Sequence, residues 1–476
     1  MSSWDFVVMG MYFALVLGIG AYFAKKSGDA TDYFLGKDKI PWLAVMLSIV
    51  ATETSALTVI SIPGIGSRSN MTFLQITLGY LLGRIAVSIW LMPGYFTGEQ
   101  ETAYTRLENR FGARTRRLAA GVFMTVRALG DSVRVFAIAI PLSIVTNWSK
   151  FTSVAMVGVI TLLYTLAGGI RAVIWVDVMQ LGLYVLGGAA TLVVAIQLIP
   201  NLPDAWASIV SADKLQMVDW NISFSEPYTF LTAVLGGALL SSASHGTDHL
   251  IVQRLLATKS LSGARKALVG SGILVMIQFA FFLIVGAFLW AAGADDGIMA
   301  SDNIYPTFVV HQLPVGLAGL VVAGILAAAM STMSSSLNSL ASATTHDFFA
   351  PLAGEYDPKK LLRFGRIATL GWAVVLVVGA LSFQADQPVV VLALSVSSIT
   401  YGGLLGTYIM GGTMKDAKES DAITAILVAT VFMVVVVLVK PGPFANMAWP
   451  WYVPVGTAVT LVTAWLTITL RKLRAR

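Results

Sequence analysis

From Leu326 to Ser342 the chain reads L-A-A-A-M-S-T-M-S-S-S-L-N-S-L-A-S, a run of hydroxyls inside an apolar segment of about 316–345. Steps of three and four residues place Ser331, Ser334, Ser335, Asn338 and Ser342 on one face of a helix. Two uses fit such a stripe. Small hydroxylated residues let neighbouring membrane helices approach closely and hydrogen-bond across the contact. Alternatively, hydroxyls at i and i+1 converge on a hard cation such as Na+, which takes oxygen ligands as calcium and magnesium do.

Two carboxylates sharpen the choice. Asp177 stands in V-I-W-V-D-V-M-Q, well inside an apolar run, where an acid costs enough that ion coordination is the first expectation and an ion pair, with Arg134, the alternative. Glu53 stands in S-I-V-A-T-E-T-S-A-L-T, from Ser48 to Thr58, and the same segment ends in S-I-P-G-I-G. Hydroxyls, an acid, a proline and two glycines make a poor continuous helix. A helix interrupted in mid-membrane frees backbone carbonyls for cations and aims half-helix ends at a solute. A packing kink at Pro63 is the simpler alternative, but it leaves Glu53 unexplained. In R-A-L-G-D-S-V-R, from Arg127 to Arg134, Arg127 and Asp131 are four apart and can neutralise each other.

Composition fixes the setting these residues work in. Of 476 residues 57% are hydrophobic and 12% charged, and the mean hydropathy of +0.78 is that of a polytopic membrane protein. The formal charge of +6 falls in short loops between apolar runs and implies no nucleic-acid partner. Without cysteine there is no disulfide, thiolate chemistry or iron–sulfur site, and His245, His249, His311 and His346 are too scattered for a metalloenzyme. No nucleophile, base and orienting group recur together in one segment, so the reading is not an enzyme.

Apolar segments of crossing length lie near 5–24, 40–65, 71–95, 117–146, 153–168, 172–199, 228–253, 267–292, 316–345, 364–383, 388–412, 421–440 and 449–470. These are about 13 spans of an all-α chain. The first has no basic stretch before it and no small-residue cleavage site, so it reads as a retained helix. Alternate loops and the tail hold 24 Lys and Arg, the opposite loops only Arg68, Lys150, Lys214 and Lys440. That asymmetry predicts an N-terminus outside and a cytoplasmic C-terminus, in a bacterial inner (plasma) membrane.

Five motifs make the chain resemble the sodium/solute symporter family over most of its length. They are D-Y-F-L-G from Asp32, A-T-E-T-S-A from Ala51, Y-T-L-A-G-G-I-R-A-V-I-W-V-D-V-M-Q from Tyr164, T-D-H-L-I-V-Q-R-L-L-A-T-K-S from Thr247 and A-A-A-M-S-T-M-S-S-S-L-N-S from Ala327. The resemblance implies one transmembrane domain over 1–476. It comprises a leading helix at 5–24, a first five-helix repeat at 40–199, an inverted second repeat at 228–412, and two C-terminal helices with a tail at 421–476.

It further implies a Na+ held by carbonyls of Ala51, Thr54 and Ala328 and hydroxyls of Ser331 and Thr332, threonine replacing the family's serine. A second Na+, found in part of the family, would use Asp177, Ser331, Ser334 and Ser335. The solute site departs from the family's patterns. Glu53 and Thr58 stand where one branch has amides, Ser244 and His245 where it has gating aromatics, and Gly130 where another has an arginine for a carboxylate, with Arg134 one turn further on.

The expected solute contacts are Glu53, Ser55, Thr58, Gln75, Ser241 and His245. An ionised Glu53 accepts hydrogen bonds and donates none. With the T-D-H-L-I-V-Q-R stretch, which resembles the family's sodium/glucose branch, it predicts Na+-coupled import of a small polar organic solute, a sugar or polyol, by alternating access. The alternatives are an amino acid, carboxylate or sialic acid as solute, or a membrane sensor built on the same fold.

Overall fold

The computed structural model describes residues 2–24, 33–34, 40–97, 102–146, 148–354, 356–383 and 389–474. Lys25, Lys26, Lys37, Lys39 and Arg476, counted in the charge asymmetry, and Asp32 of the first motif lie outside the described residues. Apart from one isolated parallel bridge between Ile40 and Thr258, the regular structure among the described residues is helical.

The principal helices, in chain order, are α1 (Ser3–Ala24), α2 (Trp42–Glu53), α3 (Ala56–Arg68), α4 (Leu74–Trp90), α5 (Ala113–Thr146), α6 (Lys150–Gln197), α7 (Leu202–Ser211) and α8 (Phe230–Gly246). They continue as α9 (His249–Leu256), α10 (Leu261–Ala291), α11 (Ser301–Gln312), α12 (Leu317–Ala343), α13 (Pro358–Ser382), α14 (Val389–Thr413), α15 (Glu419–Val439) and α16 (Tyr452–Arg474). Each of the thirteen expected segments falls on a helix or helix pair. Among the described residues seven helices are long and apolar enough to cross a membrane, or up to eight if the bent pair α2–α3 is one span. Helices α7 and α11 occupy stretches that the apolar pattern leaves as loops.

The serine helix α12 is the hub. Every residue from Val321 to Ala343 is buried, and α12 packs most extensively against α6, then against α5, α1 and α13. A polar stripe in such a position never meets lipid, which is how its hydroxyls are accommodated.

Among the described residues two breaks between consecutive helices lie near the site. Between α2 and α3 the chain bends by 61°, because Thr54 (φ −78, ψ 77) and Ser55 (φ −75, ψ 172) leave helical geometry. The break thus lies beside Glu53 and not at Pro63, which sits inside α3. The glycines expected to weaken that end serve close packing: a Cβ on Gly64 would meet Ser301 O at 2.3 Å, and one on Gly66 would meet Leu283 O at 2.3 Å. The second interruption, between Gly246 and His249, divides the expected segment 228–253 into α8 and α9. There Asp248 caps α9, its carboxylate accepting from Leu250 N at 2.9 Å.

Helix α6 is two helical limbs joined at Gly169, whose φ of 56 and ψ of −155 suit only glycine. Three arginines assigned to cytoplasmic loops are instead enclosed: Arg254, Arg116 and Arg171. Lys214, on the opposite side, is buried as well, and without these four the charge asymmetry is 21 against 3, in the same direction.

Candidate functional site

Where α2 ends, its last carbonyls have no continuing helical turn to bind them. Helix α12 passes alongside. Thr332 Oγ1 lies 3.5 Å from Thr52 O and 3.3 Å from Ala328 O, and Ala51, Thr54, Ala328, Ser331 and Thr332 are all buried. The structure therefore brings the interrupted helix and the serine helix together where the first Na+ is expected. Thr54 is expected to contribute its carbonyl, and its Oγ1 lies 2.8 Å from Val50 O and 3.0 Å from Gln278 Oε1.

Asp177, on the second limb of α6, meets the same face. Its Oδ1 accepts from Ser331 Oγ at 2.5 Å, and its Oδ2 from Ser48 Oγ at 2.6 Å. Ser334 and Ser335 donate to Ser331 O at 3.0 and 2.7 Å, and Ser335 Oγ lies 3.3 Å from Thr52 Oγ1. All four residues named for the second ion thus form one enclosed cluster. In it each hydroxyl gives its proton to a neighbouring oxygen, so its lone pairs stay available to a cation. The lower stripe serves other contacts: Ser342 Oγ lies 3.0 Å from His249 Nε2. Asn338 is buried with no hydrogen bond from its amide among the described residues.

The cluster also contains a residue that sequence order hides. Arg254, wholly buried on α9, donates from Nε to Ser48 Oγ at 3.0 Å and from Nη1 to Leu250 O at 2.9 Å. Its Nη2 reaches Asp177 Oδ2 at 3.2 Å and also contacts Ser335 Oγ. If Asp177 is read as half of an ion pair, its arginine is Arg254 and not Arg134. A guanidinium has five donors in a planar fork and no acceptor, so it fills the cationic side of this carboxylate.

Beside the ion cluster lies a cavity of about 120 Å³, measured as space open to the centres of water-sized molecules. Of the expected solute contacts, Glu53, Ser55, Thr58 and His245 line it. Gln75 and Ser241 do not. Gln75 ties its own turn to the 219–228 stretch, donating to Tyr228 O at 2.7 Å and accepting from Asp219 N at 3.2 Å. Ser241 donates to Tyr80 O at 2.9 Å, against the same α4 that packs on α8.

Glu53 is not the unpartnered acceptor the sequence suggests. Its Oε2 pairs with the fully enclosed Arg84, which in turn donates to Ser271 Oγ at 2.7 Å. His245 Nε2 stands 2.8 Å from Glu53 Oε1, at an angle poor for a hydrogen bond. Both carboxylate oxygens are thereby approached by basic groups of the protein.

The cavity lining also carries groups absent from the expected set. Phe73 and Phe279 stack at 5.4 Å, and Tyr80, Ser397, Tyr401, Arg127 and Arg134 also line the cavity. Arg127 Nη2 donates to Asp248 Oδ2 at 2.6 Å and its Nη1 lies 3.3 Å from Asp131 Oδ1, so the expected pairing of Arg127 with Asp131 exists but is shared. Arg134 is held by Asp131 through Nη1 at 2.7 Å and stays 21% exposed, the most accessible cation of this network. An arginine so placed receives a carboxylate through two parallel N–H groups.

Comparison with known proteins agrees with this geometry. The model of the sodium:solute symporter family matches residues 33–429. The chain is 28% identical to the sodium/sialic acid symporter NanT of Aliivibrio fischeri, over 98% of this chain and 93% of that one. It is 25% identical to the human sodium-coupled monocarboxylate transporter 2, over 94% and 75% of the two chains.

Among solved structures, a Na+-coupled sialic acid symporter in a substrate-bound outward-open state, described as revealing a novel Na+ site, superposes with a TM-score of 0.88. That match has 25% identity and covers 98% of each chain. Mhp1, a nucleobase-cation-symport-1 family transporter, shares the fold at a TM-score of 0.57 and 14% identity. The interrupted helix, the serine helix against it and the match over residues 33–429 converge on one conclusion: this chain belongs to the sodium:solute symporter family, a Na+-coupled transporter and not an enzyme.

Proposed function

We propose that this symporter carries a small organic carboxylate, and that Arg134 receives the carboxylate group. The observation behind the reading is the division of labour between the cavity's charges. Glu53 has a basic group at each oxygen, whereas Arg134 lines the cavity, partly exposed, with Asp131 on Nη1. A neutral sugar or polyol needs acceptors, and the acidic acceptor expected for it is taken. The cavity accommodates on the order of ten water-sized groups at ~10–15 Å³ each, which suits a small organic acid better than a bare inorganic anion. Relatives named for sialic acid and monocarboxylates support the class.

In this reading one Na+ binds the carbonyls of Ala51, Thr54 and Ala328 with the hydroxyls of Ser331 and Thr332. It fastens the end of α2 to α12 and so orders the wall against which the solute rests. A second Na+ at Asp177, Ser331, Ser334 and Ser335 competes with the guanidinium of Arg254. The membrane potential adds about 2.3 kcal/mol per charge per 100 mV to uptake. The charge asymmetry supports an N-terminus outside and a cytoplasmic C-terminus, and the bacterial relative NanT supports a bacterial inner membrane.

Thermal unfolding of the purified protein with N-acetylneuraminate, pyruvate, propionate, glucose and galactose, in Na+ and in K+, tests the class. A ligand at 100 times its Kd stabilises by about 2.7 kcal/mol. Stabilisation by a carboxylate, greater in Na+ and lost in Arg134→Gln, is the expected result. Stabilisation by neutral sugars alone, unchanged in Arg134→Gln, overturns the reading.

A further inference from the structure

One carboxylate in the cavity wall serves two sites at once. Asp131, on α5 and wholly enclosed, accepts at Oδ1 from Arg134 Nη1 at 2.7 Å and Arg127 Nη1 at 3.3 Å. Its Oδ2 accepts from Ser336 Oγ. Ser336 belongs to α12, next to Ser335 and one turn from Thr332. The cavity arginine and the helix that carries the expected Na+ ligands are therefore joined through a single side chain. Arg127 extends the connection, since Asp248 Oδ2 accepts from Arg127 at 2.6 Å and from Tyr401 OH at 2.5 Å. Asp248 also caps α9, at its break from α8.

A carboxylate shared in this way transmits competition. When a second anion engages the Arg134 guanidinium, Asp131 loses part of one donor and its charge turns more fully to Ser336. That bond ties α12 to α5 one turn from Thr332, so a change in it acts on the helix that carries the hydroxyls of Ser331 and Thr332. In the other direction, an ion that fixes α12 also fixes Ser336, hence Asp131, hence the aim of Arg134. Two ligands acting on one element must influence each other equally in binding free energy.

We propose that Asp131 is the coupling residue of this symporter, with Arg134 as its contact on the solute side and Ser336 as its contact on the sodium side. Asp131 itself is a positioning residue, since it touches neither ligand. That the cavity ligand is an anion rests on the carboxylate reading above. The Arg134–Asp131–Ser336 connection itself does not.

The test accordingly uses Na+ as its sole probe. Full-length protein is titrated with NaCl against constant total salt made up with KCl, and the Na+ concentration giving half-maximal thermal stabilisation is compared for wild type, Arg134→Gln, Ser336→Ala and the double variant. If Asp131 relays the change, Arg134→Gln moves that midpoint roughly threefold or more in the wild-type background and little in the Ser336→Ala background. Ser336→Thr, which keeps the hydroxyl, restores the sensitivity. Independent multiplication of the two shifts, or a midpoint that neither substitution moves, overturns the proposal. Should Ser336→Ala lack a cooperative transition, Ser336→Cys removes the strong donor at similar volume and is read the same way. No organic solute is present, so failure of the carboxylate reading leaves this outcome unaffected.

Discussion

Arg254 Nη2 lies 3.2 Å from Asp177 Oδ2, and neither side chain has any exposure to solvent. The pair joins α9, just beyond the second interruption, to the long α6, and it stands among hydroxyls suited to a cation. Removing one partner of a buried pair typically costs ~3–5 kcal/mol, because the other charge is left uncompensated. Arg254→Gln is therefore expected to unfold at much lower temperature in K+ and to recover much of the loss in Na+, which takes the vacated side of Asp177. Adding Asp177→Asn should remove both the defect and its rescue. Thermal unfolding in the two salts measures this, and a defect that Na+ leaves untouched means that Asp177 serves Arg254 alone.

Glu53 and Arg84 give a second expectation. Arg84 is fully enclosed, so Glu53→Gln leaves a buried guanidinium without its carboxylate, at a cost of about 3 kcal/mol even with no solute present. Arg84→Met should restore part of that stability in the double variant. Unchanged unfolding of Glu53→Gln, with only solute binding lost, would show that Glu53 is a direct solute ligand.

At Gly169 the backbone has φ 56 and ψ −155, and a Cβ would meet Tyr33 O at 2.5 Å. Strain of this kind costs on the order of 1–3 kcal/mol before the steric overlap is added. Gly169→Ala should thus lower thermal stability in Na+ and K+ alike, whereas changes at the ion cluster act differently in the two salts. Equal stability of Gly169→Ala and wild type would mean that the joint between the two limbs of α6 relaxes freely.

The sequence carries some of this site plainly and conceals the rest for identifiable reasons. Asp177 and the hydroxyls of Ser331, Ser334 and Ser335 are legible because an acid and a polar stripe in mid-membrane are too costly to stand without partners. Their convergence within single hydrogen-bond distances is what the structure adds. Arg254 reads as a loop charge because it lies five residues before Lys259, near a basic stretch. A one-dimensional pattern does not tell an arginine turned inward from one facing water. The interruption beside Glu53 is legible in the hydroxyls and acid of 48–58, whereas the glycines near Pro63, which add to the same expectation, let α3 approach α10 and α11. Gly246 followed by Thr247 and the capping residue Asp248 did signal the second interruption, and the continuous hydropathy of 228–253 masked it. Gln75 and Ser241 have solute-binding chemistry, but both satisfy backbone groups. Ser397 and Tyr401 sit in an apolar helix whose sequence carries no sign of which hydroxyl meets a cavity.

The end of α2 and the serine helix together form the proposed site of the coupling ion. Equilibrium binding of radiolabelled Na+ to the purified protein, with Ser331→Ala and Thr332→Ala combined in one variant, tests it most directly. Both substitutions remove a hydroxyl and little volume, so the variant should unfold cooperatively in K+ near the wild-type temperature while saturable Na+ binding is lost. Wild-type Na+ affinity in that folded double variant would contradict the account.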